Sequence, residues 1–418
     1  MISITRLYCG KEAPADNLRY GLHVKRPTTV PGDVPVDAAS RRPVVVWNVT
    51  SRCNLNCRHC YSGSTLRGSA SELTTEEGKA LLDDLAAFGV PAVLFSGGEP
   101  LMREDVFDLA SCARELNLRT TLSTNGTLVT PRVADRILDA GFCYAGVSLD
   151  GVGETNDLFR GRKGAFEKAV GGLRLLRDRG LRVGLRMTLT RRTAPDLDRV
   201  FDLIEAEGIR RACFYHLCYS GRAADLSSQA LTHEETRAAV DRILARTRLL
   251  ADGPDSYDVL TVDNHADGPY VYLRLVEEGS ERSADVLRLM EWNGGGLCSS
   301  GVGIADVDWR GNVHPDQFWL HYCLGNVRQR PFSEIWTRTD DPLLAGLRDR
   351  KPLLKGRCAR CRFLDACGGS LRVRAELACG DPWAPDPACY LSDEEIGLIT
   401  GARASQGRSG DSVGRQTV

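Results

Sequence analysis

The chain has 418 residues, 42% of them hydrophobic, and its 54 basic and 55 acidic side chains leave a formal net charge of −1. That length exceeds one typical domain and the apolar content supports a sizeable core, while the balanced charge gives no electrostatic reason to expect nucleic acid or an anionic membrane as partner. There is no run of about eighteen apolar residues, and Met1 to Tyr20 lacks the charged-then-apolar layout of a secretory signal. A cytoplasmic protein is expected, and in that reducing compartment 15 cysteines point to metal ligation or buried thiols.

In chain order, residues 1–42 are broken by Pro14, Pro27, Pro31, Gly32 and Pro35 and read as an irregular lead-in, whose first residues could add a strand. Residues 43–220 then alternate apolar, β-branched runs with amphipathic stretches, the mark of βα units around a parallel sheet. Strands are predicted near Val44–Asn48, Ala92–Ser96, Arg119–Ser123, Tyr144–Ser148, Arg182–Thr188 and Ala212–His216. Helices are predicted near Thr75–Phe88, Glu104–Leu116, Pro131–Ala140, Ala165–Arg179 and Ala194–Glu207, the first opened by Thr74 or Thr75 with Glu77 behind it. Residues 221–296 read as a helical, polar connection, with helices over Leu231–Ala251 and Tyr270–Trp292 and a polar loop, Leu260–Pro269, between them. Residues 297–396 hold a second group of cysteines, and residues 397–418 have too few apolar side chains to fold, so a disordered tail is expected.

Cys53, Cys57 and Cys60 stand at C-x3-C-x2-C spacing directly after the first apolar strand. Three thiolates on one short loop can bond three irons of a four-iron cluster and leave the fourth open. This spacing, His59 in the position before the last cysteine, and Ser96-Gly97-Gly98-Glu99-Pro100 after an apolar strand resemble the radical S-adenosylmethionine enzymes. The resemblance implies a [4Fe-4S] cluster whose open iron takes S-adenosyl-L-methionine and whose electron splits it to a 5′-deoxyadenosyl radical. It implies a partial (β/α)6 barrel of the TIM-like α/β class, with Gly97, Gly98 and Glu99 holding the cofactor's amino group. Ser123 and Asn125 of one strand end, Ser148 and Asp150 of the next, and Arg186 on the fifth strand would border its ribose and carboxylate. Asn-Gly and Asp-Gly at those ends also suit plain turns.

Cys358, Cys361 and Cys367, at C-x2-C-x5-C spacing, and Cys389 form a second set. Four sulfurs close a cluster completely, which suits electron relay or substrate positioning; tetrahedral zinc is the alternative. The set resembles the SPASM or twitch auxiliary-cluster domain. Asp316 and Leu371 stand where a two-cluster form would have cysteines, so one auxiliary [4Fe-4S] cluster is expected, with Cys298 and Cys379 as spare thiols and Cys379 as rival to Cys389. Cys9, Cys112, Cys143, Cys213, Cys218 and Cys323 are read as buried small hydrophobes.

Longer stretches, LYCGKEAPADNLRYG, LTVDNHADGPYVYL, GNVHPDQFW and GRCARCRFLDAC, resemble the tetrapyrrole-modifying radical enzymes of haem biosynthesis over about residues 2–396, with the wording nearest the didecarboxysiroheme-deacetylating branch. The resemblance implies an iron-containing tetrapyrrole as substrate, loss of its acetate side chains by C–C cleavage, and an electron donor such as flavodoxin or ferredoxin. The haem d1 relatives, which remove propionates from the same substrate, a peptide-modifying enzyme, and a non-catalytic iron–sulfur or haem carrier or sensor are the alternatives. For substrate carboxylates the candidates are Arg222, Arg328, Arg372 and Arg374. For an axial or proton-donating role they are His265, His314, His321, Asp316 and Tyr270; His23 and His233 read as exposed.

Overall fold

The computed structural model describes residues 1–13, 16, 42–338 and 340–399. The expected disordered tail lies, apart from its first three residues, outside the described residues, as do most of the lead-in and His23.

Among the described residues, eleven strands form one sheet: β1 (Ile2–Ser3), β2 (Val44–Thr50), β3 (Val93–Gly97), β4 (Thr120–Thr124), β5 (Ala145–Ser148), β6 (Val183–Leu189), β7 (Arg211–His216), β8 (Asp258–Val262), β9 (Ile304–Val307), β10 (Asn312–His314) and β11 (Gly325–Asn326). Their order is β1-β8-β7-β6-β5-β4-β3-β2-β9-β10-β11. From β2 to β8 neighbours are consecutive and parallel, the arrangement that helical crossovers produce. The six expected strands are β2 to β7, and together they make the partial barrel.

The stretch expected to be helical and polar supplies a further parallel strand, β8, and its loop is short. Asp258–Val262 (DVLTV) is β-branched and fully buried beside β7, so tertiary pairing decides it. The helix expected over Tyr270–Trp292 is two helices, Asp267–Glu277 and Ser283–Trp292, parted at Gly279, whose φ of 67° no continuing helix allows. A helix over Glu154–Arg160 was not expected.

The helix over Thr75–Phe88 opens with a reciprocal capping box. Glu77 N donates to Thr74 Oγ1 at 3.2 Å and Thr74 N donates to the Glu77 carboxylate at 2.8 Å, worth about 1 kcal/mol. Trp47, wholly buried on β2, packs on Phe95 with ring centroids 5.4 Å apart. A Cβ at Gly78 would fall 3.0 Å from its indole, so glycine lets this helix press against the sheet.

The C-terminal part joins by β9, which runs parallel to β2 with Val44 opposite Ile304 and Trp47 opposite Val307. Asn48 Nδ2 donates to Asp306 Oδ1 at 2.9 Å and locks that pairing. No described helix is long and apolar enough to cross a membrane.

Candidate active site

Because side chains alternate along a strand, one residue in two from each of β2 to β8 faces the barrel interior. Val46, Leu94, Ser96, Thr121, Ser123, Ser148, Arg186, Thr188, Tyr215 and Val262 line a single cavity of about 1200 Å³. Catalytic groups of such barrels gather at the strand C-terminal ends, and the loop carrying Cys53, Cys57 and Cys60 closes over that end. All three cysteines are free thiols and line the cavity.

The cysteine loop is stitched to the end of β3. Gly98 N donates to Thr50 O at 2.8 Å and Glu99 N to Arg52 O at 2.7 Å. Gly97 adopts a φ of 123°, and a Cβ at Gly98 would collide with the Arg52 carbonyl. Gly98→Ala is therefore expected to push the strand end off the cysteine loop and weaken S-adenosylmethionine binding at least about tenfold. Equilibrium dialysis beside a circular-dichroism melt would check it.

Glu99 sits where β3 meets the cysteine loop. It is fully buried and its carboxylate accepts from Thr124 Oγ1 at 2.8 Å and Asn125 N at 2.7 Å. It braces the next strand end and is absent from the cavity wall, while burial pushes its pKa up to about 7. Asn125 in turn donates to Asn54 at 2.8 Å and points the same amide toward Cys53 Sγ at 4.0 Å.

Asp150 also leaves the wall. Fully buried, it takes the backbone N–H of Thr188 at 2.6 Å and sits between His59 Nε2 at 3.3 Å and Arg160 Nη2 at 2.5 Å. Arg160 reaches on to Cys57 Sγ at 3.8 Å. Burial lowers the His59 pKa to about 4, and the ring stacks on Phe159 with centroids 4.5 Å apart. Arg160, contributed by the unexpected helix, has no motif spacing that would have revealed it. Tyr61, directly after Cys60, was also missed; it lines the cavity and donates to Asn48 Oδ1 at 2.8 Å. Arg186 donates to Ser123 Oγ at 2.6 Å, so these two expected residues do meet in the wall, with Ser148, Gly97, Gly98 and Asn125 also lining it.

The candidates for substrate contact divide. His265 and Asp316 line the cavity. Burial, aided by the nearby guanidinium groups of Arg350 and Arg374, holds the His265 pKa well below its ordinary value. Burial raises that of Asp316, whose carboxylate accepts from Ser300 Oγ and Phe318 N. His314 does not reach the cavity. Its Nδ1 faces the Tyr322 carbonyl at 2.7 Å and its Nε2 lies 3.6 Å from Asp308. Tyr270 lies in the core, donating to Asp241 at 2.7 Å with its ring against Tyr390.

Of the four candidate arginines, Arg222 alone lines the cavity, and it straps the cysteine loop by donating to the carbonyls of Cys57 at 2.8 Å and Ser64 at 2.9 Å. Arg328 pairs with Glu77 at the surface, while Arg372 donates to backbone carbonyls and Arg374 pairs with Asp386 in the interior. His321 is paired with Glu376 away from the cavity, and His233 faces the Pro387 carbonyl. The structure thus assigns these guanidinium groups to holding loops.

Cys358, Cys361, Cys367 and Cys389 line one small cavity of their own. Burial lifts the Cys367 thiol far above its ordinary pKa and the other three sulfurs, close by, add to the lift, the environment that bound iron would relieve. Cys379 is exposed and away from this set, whereas Cys298 lines the large cavity. Cys213 and Cys218 are buried but border the large cavity too, and Cys323, expected to be buried, is exposed. Among the described residues no three His, Cys, Asp or Glu side chains converge as ligands of a single metal ion would.

Comparison with known proteins agrees with this geometry. Residues 47–204 match the Radical SAM superfamily and residues 298–362 the iron–sulfur cluster-binding SPASM domain. Fe-coproporphyrin III synthase of Methanosarcina barkeri is 53% identical over 400 residues, 95% of this chain and 99% of that protein. Pre-heme d1 synthase of Dinoroseobacter shibae is 44% identical over 86% of this chain and 89% of its own. AdoMet-dependent heme synthase of Methanosarcina barkeri is 34% identical over 83% of this chain and 95% of its own. In fold, the chain resembles Streptococcus suis SuiB bound to S-adenosylmethionine, with a TM-score of 0.66 and 17% identity over 84% of this chain and 78% of that one.

Proposed function

Since this chain belongs to the radical S-adenosylmethionine superfamily, in its SPASM-containing haem-biosynthetic branch, we propose that it removes the two acetate side chains of 12,18-didecarboxysiroheme to give iron coproporphyrin III. The observation that carries this is the 53% identity along nearly the whole length of Fe-coproporphyrin III synthase. Kinship to pre-heme d1 synthase, at 44% identity, makes propionate removal the second reading. The carrier or sensor reading loses its ground, because a carrier needs no S-adenosylmethionine pocket beside a three-cysteine loop.

The open cluster at Cys53, Cys57 and Cys60, with S-adenosylmethionine bound, supplies a hydrogen-abstracting carbon radical. The chain's own residues do the rest. Arg160 and Asn125 turn polar hydrogens toward two of the three cysteine sulfurs, which favours their thiolate form. The Ser123–Arg186 pair and the end of β3 shape the polar part of the wall. Tyr61, edge-on to Phe318 with centroids 5.6 Å apart, and Leu371 give it an apolar side suited to a macrocycle face. Cys358, Cys361, Cys367 and Cys389 would hold the auxiliary cluster, which would supply a partner for electron exchange with the substrate. We assign the reaction to the cytoplasm, where thiols stay reduced, and propose a flavodoxin or ferredoxin as its electron donor.

Anaerobic incubation of the reconstituted protein with reductant, S-adenosylmethionine and didecarboxysiroheme tests this. Acetate together with iron coproporphyrin III is the expected product. Propionate-depleted product would favour the second reading, and absence of 5′-deoxyadenosine would overturn both.

A further inference from the structure

Three histidines face the large cavity: His59, His216 and His265. Two are committed, His59 Nε2 to Asp150 at 3.3 Å and His216 Nε2 to Asp267 at 2.8 Å. The third is not. His265 is 6% exposed, its Nδ1 is sealed away without a partner, and its ring makes no hydrogen bond among the described residues.

An uncommitted buried imidazole costs stability unless a ligand uses it, and the surroundings hold this one in place. Its backbone N–H donates to Ser370 Oγ at 3.1 Å, and Ser370 N donates to the Cys367 carbonyl at 3.1 Å. The preceding Asn264 donates to the Ala388 carbonyl at 2.9 Å, next to Cys389. Both Asp263 and Ser370 adopt left-handed backbone, at φ 65° and 62°, a conformation that side chains of this kind adopt only when their surroundings fix it. Gly296 completes the seat. A Cβ there would fall 3.0 Å from His265 Cγ and collide with the Cys367 carbonyl.

We propose that His265 is the axial ligand to the iron of the tetrapyrrole substrate, and so seats the macrocycle's metal against the loop that carries the auxiliary-cluster cysteines. An imidazole that lines the cavity, with no internal hydrogen bond of its ring to surrender, suits iron well. The proposal rests on the tetrapyrrole reading and goes beyond it by fixing which side chain the iron meets. Electron exchange between substrate and auxiliary cluster would then cross His265, Ser370 and Cys367 along two hydrogen bonds.

The test uses the full chain carrying both clusters, oxidised so that they are silent in electron paramagnetic resonance, and ferric coproporphyrin III as probe. The wild type should bind it with a histidine-ligated ferric signature. His265→Ala should lose that signature while keeping its cluster iron, and added imidazole should restore it. Should wild type bind the probe without nitrogen ligation, or should His265→Ala leave the spectrum unchanged, the ligation is overturned and the tetrapyrrole reading stands. Failure of the wild type to bind the probe would overturn both.

Discussion

Cys57→Ala should take 5′-deoxyadenosine formation to the detection floor and bring the reconstituted iron content from about eight to about four per chain. The fold should survive, because Arg160 keeps its ion pair with Asp150 at 2.5 Å when the sulfur goes. Cys361→Ala is the informative mirror. Cys361 lines only the small cavity, so this variant should lose the other four irons and retain cofactor cleavage without turnover of the tetrapyrrole. Iron analysis and chromatographic measurement of 5′-deoxyadenosine on both variants decide the matter. Deoxyadenosine at wild-type rates from Cys57→Ala would refute the assignment of the radical-generating cluster to the first loop.

The largest effect on stability is expected from Asp386→Asn. Asp386 is fully enclosed with Arg374, accepting from its Nε at 2.8 Å and its Nη2 at 2.7 Å. It also takes the backbone N–H of Leu371 at 3.0 Å and of Ala388 at 3.0 Å. Neutralising it strands a buried guanidinium, which costs about 3–5 kcal/mol, or on the order of 10 °C in a thermal melt. Loss of auxiliary iron should accompany it, since Ala388 positions Cys389. The pH dependence has a definite sign. Burial works to raise the Asp386 pKa, but Arg374 outweighs it and holds the group at about 2 against an ordinary 3.8. The contribution is therefore complete above the ordinary value and is lost as pH falls from there through about 2. Melts of wild type and Asp386→Asn between neutral pH and strong acid should converge over that interval; a constant gap would refute the role given to the charge.

What could be read from the residues follows from how local each signal is. The strand and helix periodicities of residues 43–220 are local, so β2 to β7 were legible to within a residue or two. β8 was not, because its five residues form a strand only by lying beside β7, and the polar Asp263, His265 and Asp267 that follow outweighed DVLTV in the reading. Cysteine spacing is equally local, and it brought each set of sulfurs to one cavity. Which thiol completes the second set depended on tertiary placement: Cys379 ends the helix Arg372–Cys379 in solvent, while Cys389 is carried inward by the turn that Asp386 holds. The same limit explains Glu99 and Asp150. Their motifs mark strand ends, and only the fold shows that both carboxylates turn inward to brace loops. Arg160 and Tyr61 belong to contacts between elements far apart in sequence, which no window of residues encodes.

One feature of the architecture bears on how electrons travel. Because β9 runs beside β2, the two parts of this protein share one continuous hydrogen-bonded sheet. With clusters bound at the two cysteine sets, this shared sheet would oppose swinging of one part against the other and so would hold their separation steady. Tunnelling between them should be insensitive to solvent viscosity, and an N-terminal fragment ending before Ile304 would bare the flank of β2 and self-associate by edge pairing.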